Sequence, residues 1–334
     1  NTDRNGNLWR PQGRMYGQGI AALALCECYG IMAQSPGRID AGTVNAGTTQ
    51  AGNVGGESIS PNHATEVNRD RDIDARNNPV DIDLLKLAAT ASIEYIVNAQ
   101  AADGGWRYEP GQPGDTSVVG WQVMAIKSAM DAELGDYDEA LEAASQFLDF
   151  VQYEVFHDRW YGSLGTRYAY QPNMRIKTSA TTVIGLACRI YIGTSPSHAG
   201  MEVAAERIGA LGPIGGDMYY NYYANQVMFQ RGGTDWEDWS DMLDTALVLS
   251  QDDRGHRDGS WYFGGRNRGG DHGGDAGGRL YTTAMACLCL EETFRHLPLF
   301  RGGIRIQDDD DPVSDVPNEG QDNEDAEKQA KRDP

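Results

Sequence analysis

The sequence predicts an all-α fold, an α/α toroid in which a barrel of helical hairpins surrounds a central space. Three observations carry the prediction: apolar stretches that recur along the chain, amphipathic helices between them, and glycine-rich turns at the joins. The first stretch, residues 16–25, reads YGQGIAALAL, and residues 117–126, 179–188 and 281–290 lay over it. Each is apolar nearly all round with small residues throughout, as a helix surrounded by protein must be. Residues 219–229 form a fifth, weaker copy crowded with tyrosine. Alignment on Gly19, Gly120, Thr182 and Ala284 spaces the four strong copies by 101, 62 and 102 residues, and the fifth divides the last interval. The unit is therefore roughly fifty residues, the size of a stacked supersecondary repeat.

In chain order, the apolar helix at 16–25 is followed by residues 35–78, rich in Gly, Thr, Asn, Ser and Asp. That composition predicts a long surface loop or disordered insertion. An amphipathic helix comes next: Ile82, Leu85, Ala89, Ile93 and Ile96 share one face, while Asp83, Lys86, Thr90, Glu94 and Asn98 fall elsewhere. Beyond the second apolar helix, Leu141, Ala144, Phe147 or Leu148, and Val151 repeat the stripe after Tyr137, and residues 201–211 and 236–249 supply two more. A plain bundle would show stripes throughout. Wholly apolar helices alternating with half-polar ones are what an inner ring fenced by an outer ring produces.

The outer helices end in a shared phrase: Gln100 to Gly105 and Trp106, Gln251 to Gly259 and Trp261, and a worn copy from Gln152 to Trp160. Glutamine at a helix end can donate to unpaired carbonyls, glycine permits the left-handed turn, and tryptophan covers the gap between hairpins. These residues are expected to be stability devices. Five inner and four outer helices are counted, and the chain opens on an inner one. The toroid is therefore expected to be incomplete at its N-terminus, with a missing segment before Asn1 or a larger protein around it. The toroid is assigned to residues 1–303 and an acidic disordered tail to 304–334, since residues 307–334 hold 11 acidic and 3 basic side chains.

The 334 residues carry a formal charge of −21, which argues against nucleic acid or an anionic membrane surface as the main partner. No apolar run approaches the roughly 20 residues of a membrane span, so no transmembrane segment is expected. Glycine, at 41 residues, is well above the average of about 7% and marks frequent chain reversal. Four of the five cysteines fall in apolar runs as Cys26/Cys28 and Cys287/Cys289, and helical neighbours two apart do not face each other, so buried free thiols are expected. No targeting segment indicates a compartment.

The turn phrases and apolar helices resemble the prenyltransferase and squalene-oxidase repeat of squalene-hopene and oxidosqualene cyclases and protein prenyltransferase β subunits. The stretch from Ala102-Asp-Gly-Gly-Trp-Arg-Tyr108 through residues 114–126 looks most like bacterial squalene-cyclase-like proteins of undefined activity. The resemblance implies a terpenoid-cyclase-like toroid that binds or cyclises an isoprenoid in a central apolar cavity by acid-initiated carbocation chemistry. A class II cyclase needs a carboxylic acid kept protonated by an apolar site, in the motif Asp-x-Asp-Asp-Thr-Ala. At the matching place, Asp115 and Thr116 keep the last Asp and the Thr, but Gly114 stands for the proton-donating Asp and Gln112 for the first one. A helix N-cap is the competing role for Asp115. The near-match Asp241–Asp244 falls in an outer helix and is read as coincidence. The prenyltransferase zinc site would need a His where Thr282 stands, and the complement-type Cys-Gly-Glu-Gln is lacking at Cys26, so neither metal nor cofactor is expected.

The candidate site therefore comprises Asp115 and Asp275 as acids, with Tyr16, Trp121, Tyr219, Tyr223, Tyr281 and His272 around the ligand. Aromatic faces stabilise a travelling cation, although the same rings fill cores equally well. Gln18, Gln122, Tyr220 and Tyr222 share those helices, and Arg266, Arg268 and Asp271 lie in the loop beside His272. Calcium at the Asp-Gly loops 252–259 and 271–275 fits no EF-hand pattern. Whether the chain is an enzyme stays open. If it is one, it is a cyclase-like isomerase or lyase; the alternative is a non-catalytic toroid acting as a binding or scaffolding module.

Overall fold

A computed structural model describes residues 6–8, 13–34, 80–174, 178–263 and 274–292. The expected insertion at 35–78, the tail at 304–334, and Arg266, Arg268, Asp271 and His272 lie outside the described residues, as does the side chain of Asp275.

Within the described residues the chain is mostly helical, with α1 (Arg14–Gln34), α2 (Ile82–Asn98), α3 (Thr116–Asp131), α4 (Asp138–Val151), α5 (Ser179–Ile192), α6 (Ala199–Leu211), α7 (Met218–Arg231), α8 (Gly233–Ser250) and α9 (Gly274–Leu290). Short polar side chains start several of them by accepting from the free first-turn amides. Asp81 caps α2, Asp217 caps α7, and Thr178 and Thr181 form a reciprocal capping box at α5. Helix α5 stops at Gly193, in the left-handed conformation at φ 115°.

The odd-numbered helices are serial neighbours: α1 packs on α3, α3 on α5, α5 on α7, and α7 on α9. The even-numbered helices lie against them, α2 on α1, α4 on α3 and α5, and α8 on α7. Burial follows the expected division. Helices α3, α5 and α7 are enclosed on nearly every side, whereas α8 buries only Trp239, Leu243 and Leu247. The stripe of α4 is wholly buried, and α2 buries Ala89, Ile93 and Ile96 but exposes Ile82 at its first turn.

Three expectations need correction. The first and last apolar helices are not enclosed: Ile20 and Ile31 on α1 and Leu280 on α9 are exposed, and among the described residues α1 packs mainly on α3 and α9 mainly on α7, where α3, α5 and α7 each pack closely on two odd-numbered helices. Consequently only Cys26, Cys188 and Cys289 are buried, while Cys28 and Cys287 are exposed; all five are free. The worn turn phrase is not a turn. Residues Gln152–Asp158 (β1) pair antiparallel with Gly162–Tyr168 (β2), with Val155 opposite Gly165. Val155, Phe156 and Tyr153 favour extended backbone. Asp158 Oδ1 accepts from the Trp160 and Tyr161 amides, and Gly162 turns the chain at φ 84°.

The two intact phrases are built alike, with the roles distributed differently from expectation. The glutamine amide spans the turn: Gln100 Nε2 donates to Gly104 O (2.8 Å) and across to Ala140 O (2.9 Å), and Gln251 Nε2 donates to Gly259 O (3.1 Å). The tryptophan serves the helix end: Trp106 Nε1 donates to Ile96 O and Trp261 Nε1 to Leu247 O, each at 2.8 Å. Gly104 has φ 82°, and a Cβ there would lie 1.9 Å from Ala143 O, so the turn also sets how closely α4 approaches α2.

Candidate functional site

Asp115 sits between the Gly104 turn and α3 in extended backbone, its own amide donating to Trp106 O at 2.9 Å. The side chain is fully buried and caps the helix. Oδ1 accepts from Val118 N–H at 3.0 Å and from the Ser117 hydroxyl at 2.6 Å. Oδ2 accepts from the Tyr170 hydroxyl at 2.9 Å, with Arg107 Nε at 3.7 Å. The chain of donors continues outward on both sides. Tyr16 bonds the Ser117 hydroxyl, and Tyr108 and Tyr170 hydroxyls meet at 2.7 Å. Burial pushes the Asp115 carboxyl above the ordinary range, opposed by Ser117, Val118, Tyr170 and the Arg107 guanidinium.

Thr116 fixes the start of α3 to the segment after β2: its hydroxyl donates to Ala169 O at 2.6 Å and its amide to Tyr170 O at 2.9 Å. Gly114 packs directly on Gly105. A Cβ at position 114 would stand 2.6 Å from Gly105 Cα and 2.8 Å from the Phe147 ring. The place where the cyclase motif would carry its proton-donating Asp therefore has no room for a side chain without moving backbone.

Four of the aromatics named from the sequence gather beside this network. Tyr219 on α7 donates to Ser117 O at 2.7 Å, and its ring centroid lies 5.2 Å from that of Tyr223. Trp121 on α3 stacks on Tyr222 at 5.3 Å and meets Tyr223 edge-on at 5.7 Å. Tyr16 joins through Ser117 and Tyr108. Tyr281 on α9 is half-buried and packs against the core. Burial holds the Tyr16, Tyr219 and Tyr223 phenols well above their ordinary range, so they remain neutral. The Trp121 indole N–H is buried with no hydrogen-bond partner among the described residues.

Other named residues have structural places. Gln18 Nε2 donates to Gly6 O and Ser92 O, and Gln122 Nε2 to Met15 O. Tyr220 packs on Trp239 of α8. Thr282 bonds back to Gly278 O. Asp241 and Asp244 are exposed on α8. Among the described residues no group of three or more His, Cys, Asp or Glu could hold a metal ion, and no helix is long and apolar enough to cross a membrane. Sequence reasoning missed Tyr170 and assigned Arg107 and Tyr108 no role. Tyr170 follows a hairpin that the repeat pattern does not contain, and only its distance from Asp115 reveals it.

Comparison with protein-family models, with curated proteins and with solved structures finds no match.

Proposed function

We propose that the chain is a squalene-cyclase-like α/α toroid that serves as a binding or scaffolding module and does not initiate cyclisation. The serial packing of α1, α3, α5, α7 and α9 with even-numbered helices against them supports the toroid. One observation carries the functional half. An acid that protonates an alkene needs a free O–H directed at it, and both Asp115 oxygens instead accept hydrogen bonds from Ser117, Val118 and Tyr170. The space for the motif's donor is filled at Gly114. Asp115 is thus a helix cap and the anchor of a tyrosine network.

The second reading, cyclisation of an isoprenoid with Asp115 or Asp275 as acid, is favoured by the gathered faces of Trp121, Tyr219, Tyr222 and Tyr223. Incubating the purified chain with squalene and other polyprenes, followed by mass-spectrometric search for cyclised products, separates the two. The module reading expects none. Products that vanish in Asp115→Asn or Asp275→Asn would establish the second reading instead.

A further inference from the structure

Apart from the Asp115 network, the structure holds a cleft of about 400 Å³ where β2 meets the first turn of α5, the face of α6 and the start of α7. One wall is polar, with Arg167 on β2, Arg207 on α6, and Ser179 and Thr182 on α5. The other is apolar, with Val183, Ile208 and Leu211. We infer that this cleft binds a small amphiphilic anion, a carboxylate carrying a short alkyl body, with Arg167 and Arg207 on the charge and the apolar wall on the chain.

The two arginines are held for this task. Glu154 takes Arg167 Nε at 3.5 Å on one oxygen and Arg207 Nη1 at 3.0 Å on the other, while Arg207 Nη1 also donates to the Thr166 hydroxyl at 3.1 Å. Each guanidinium has five donors, so both Nη groups of Arg167, with Nε and Nη2 of Arg207, keep their capacity. Two positive charges against one negative leave the polar wall cationic in a chain whose formal charge is −21, so an anion finds its counterpart here. Glu154 itself has φ 51°, a left-handed conformation inside a strand that is strained for a non-glycine residue. Its carbonyl accepts from Thr166, which fixes the twist. Tyr220 lines the same cleft, and its buried hydroxyl has no hydrogen-bond partner among the described residues. That hydroxyl is closed off from solvent, so Tyr220 belongs to the floor of the cleft and the arginines carry the recognition.

Octanoate is the probe, titrated into the whole chain by calorimetry, with 1-octanol and octylamine as uncharged and cationic counterparts. Octanoate is expected to bind and the other two at least ten-fold more weakly. Arg167→Gln and Arg207→Gln should each weaken octanoate about ten-fold or more, the scale of a charge-assisted contact, with Arg207→Lys in between. Arg207→Lys keeps the charge and the fold in case a glutamine variant does not, and it should weaken octanoate by less than Arg207→Gln does. Absence of octanoate binding, equal binding of octanol, or indifference to the arginine changes would overturn the inference. Sedimentation with phosphatidylcholine vesicles carrying oleic acid tells the sources apart: binding to vesicles without binding of octanoate would assign the cationic wall to a lipid surface and likewise overturn it.

Discussion

Asp115 shows how little a residue type says about its job until its partners are known. The sequence places an acid at the start of an apolar helix, and both a cap and a proton donor fit that description. The donors that decide between them arrive from Ser117, two residues on, and from Tyr170, across the fold. Its titration gives a measurable sign. Burial raises its folded-state pKa above the unfolded value of about 3.9, so the folded chain holds that proton more tightly than the unfolded chain. The associated stability is present below the unfolded value and is lost as pH rises through the folded one. Asp115→Asn removes the titration and leaves every other acid in place. The stability of the wild type relative to this variant, from urea unfolding at a series of pH values, is therefore expected to decline as pH rises from about 3.5 and then level off. A gap that widens in favour of the wild type would mean that the donors outweigh burial and that the carboxyl is held below its ordinary range.

Helices were legible because their signal is local and periodic; the hairpin was not, because its signal is pairing. The stripe Leu141, Ala144, Phe147, Leu148 and Val151 states its buried face in one segment, and all five side chains are buried. Tyr153, Val155 and Phe156 form a strand only with residues 162–168 to bond to, and the worn Gln-to-Trp phrase hid them. Tyr170 was lost with the hairpin, whereas Tyr16, Trp121, Tyr219 and Tyr223 were found because they sit in the repeat. The turn phrase reads as stabilising in the sequence, but the roles it assigns to glutamine at the helix end and tryptophan over the gap are exchanged in part. Trp106 and Trp261 close the ends of α2 and α8 through their indole N–H groups. Trp106→Phe keeps most of the packing and removes that donor while Ile96 O still accepts from the Ala99 amide, so a loss of about 0.5–1.5 kcal/mol is expected from denaturant unfolding. Trp261→Phe should cost a similar amount at α8. Unchanged stability in both would reduce the phrase to ring packing alone.

At the scale of the whole molecule, charge is the quantity that local reading cannot balance. The formal net charge of −21 includes the acidic stretch beyond residue 307, yet the remainder is still strongly negative. Self-repulsion of that excess destabilises a compact chain, and salt relieves it. Salt also screens attractive pairs, so the sign of the response depends on which population is larger. Many described pairs are open to water: Arg254 with Asp253 at 3.5 Å, Arg14 with Glu109 at 3.6 Å, and Arg167 and Arg207 with Glu154. Such pairs contribute about 0–1 kcal/mol each even before screening. In others one partner is largely enclosed, as with Arg189 beside Asp149, Arg107 beside the buried Asp115, and Arg231 beside Asp235. Repulsion therefore exceeds what screening would remove from attraction. Raising sodium chloride from about 0.01 M to about 1 M shortens the screening length from about 30 Å to about 3 Å, and the thermal midpoint is expected to rise across that range, most of it at the low-salt end where the screening length changes fastest. Chloride is preferred to sulfate because excluded anions stabilise proteins by a separate route. A falling midpoint would mean that the ion pairs act as a network holding the helices together and not as isolated surface contacts.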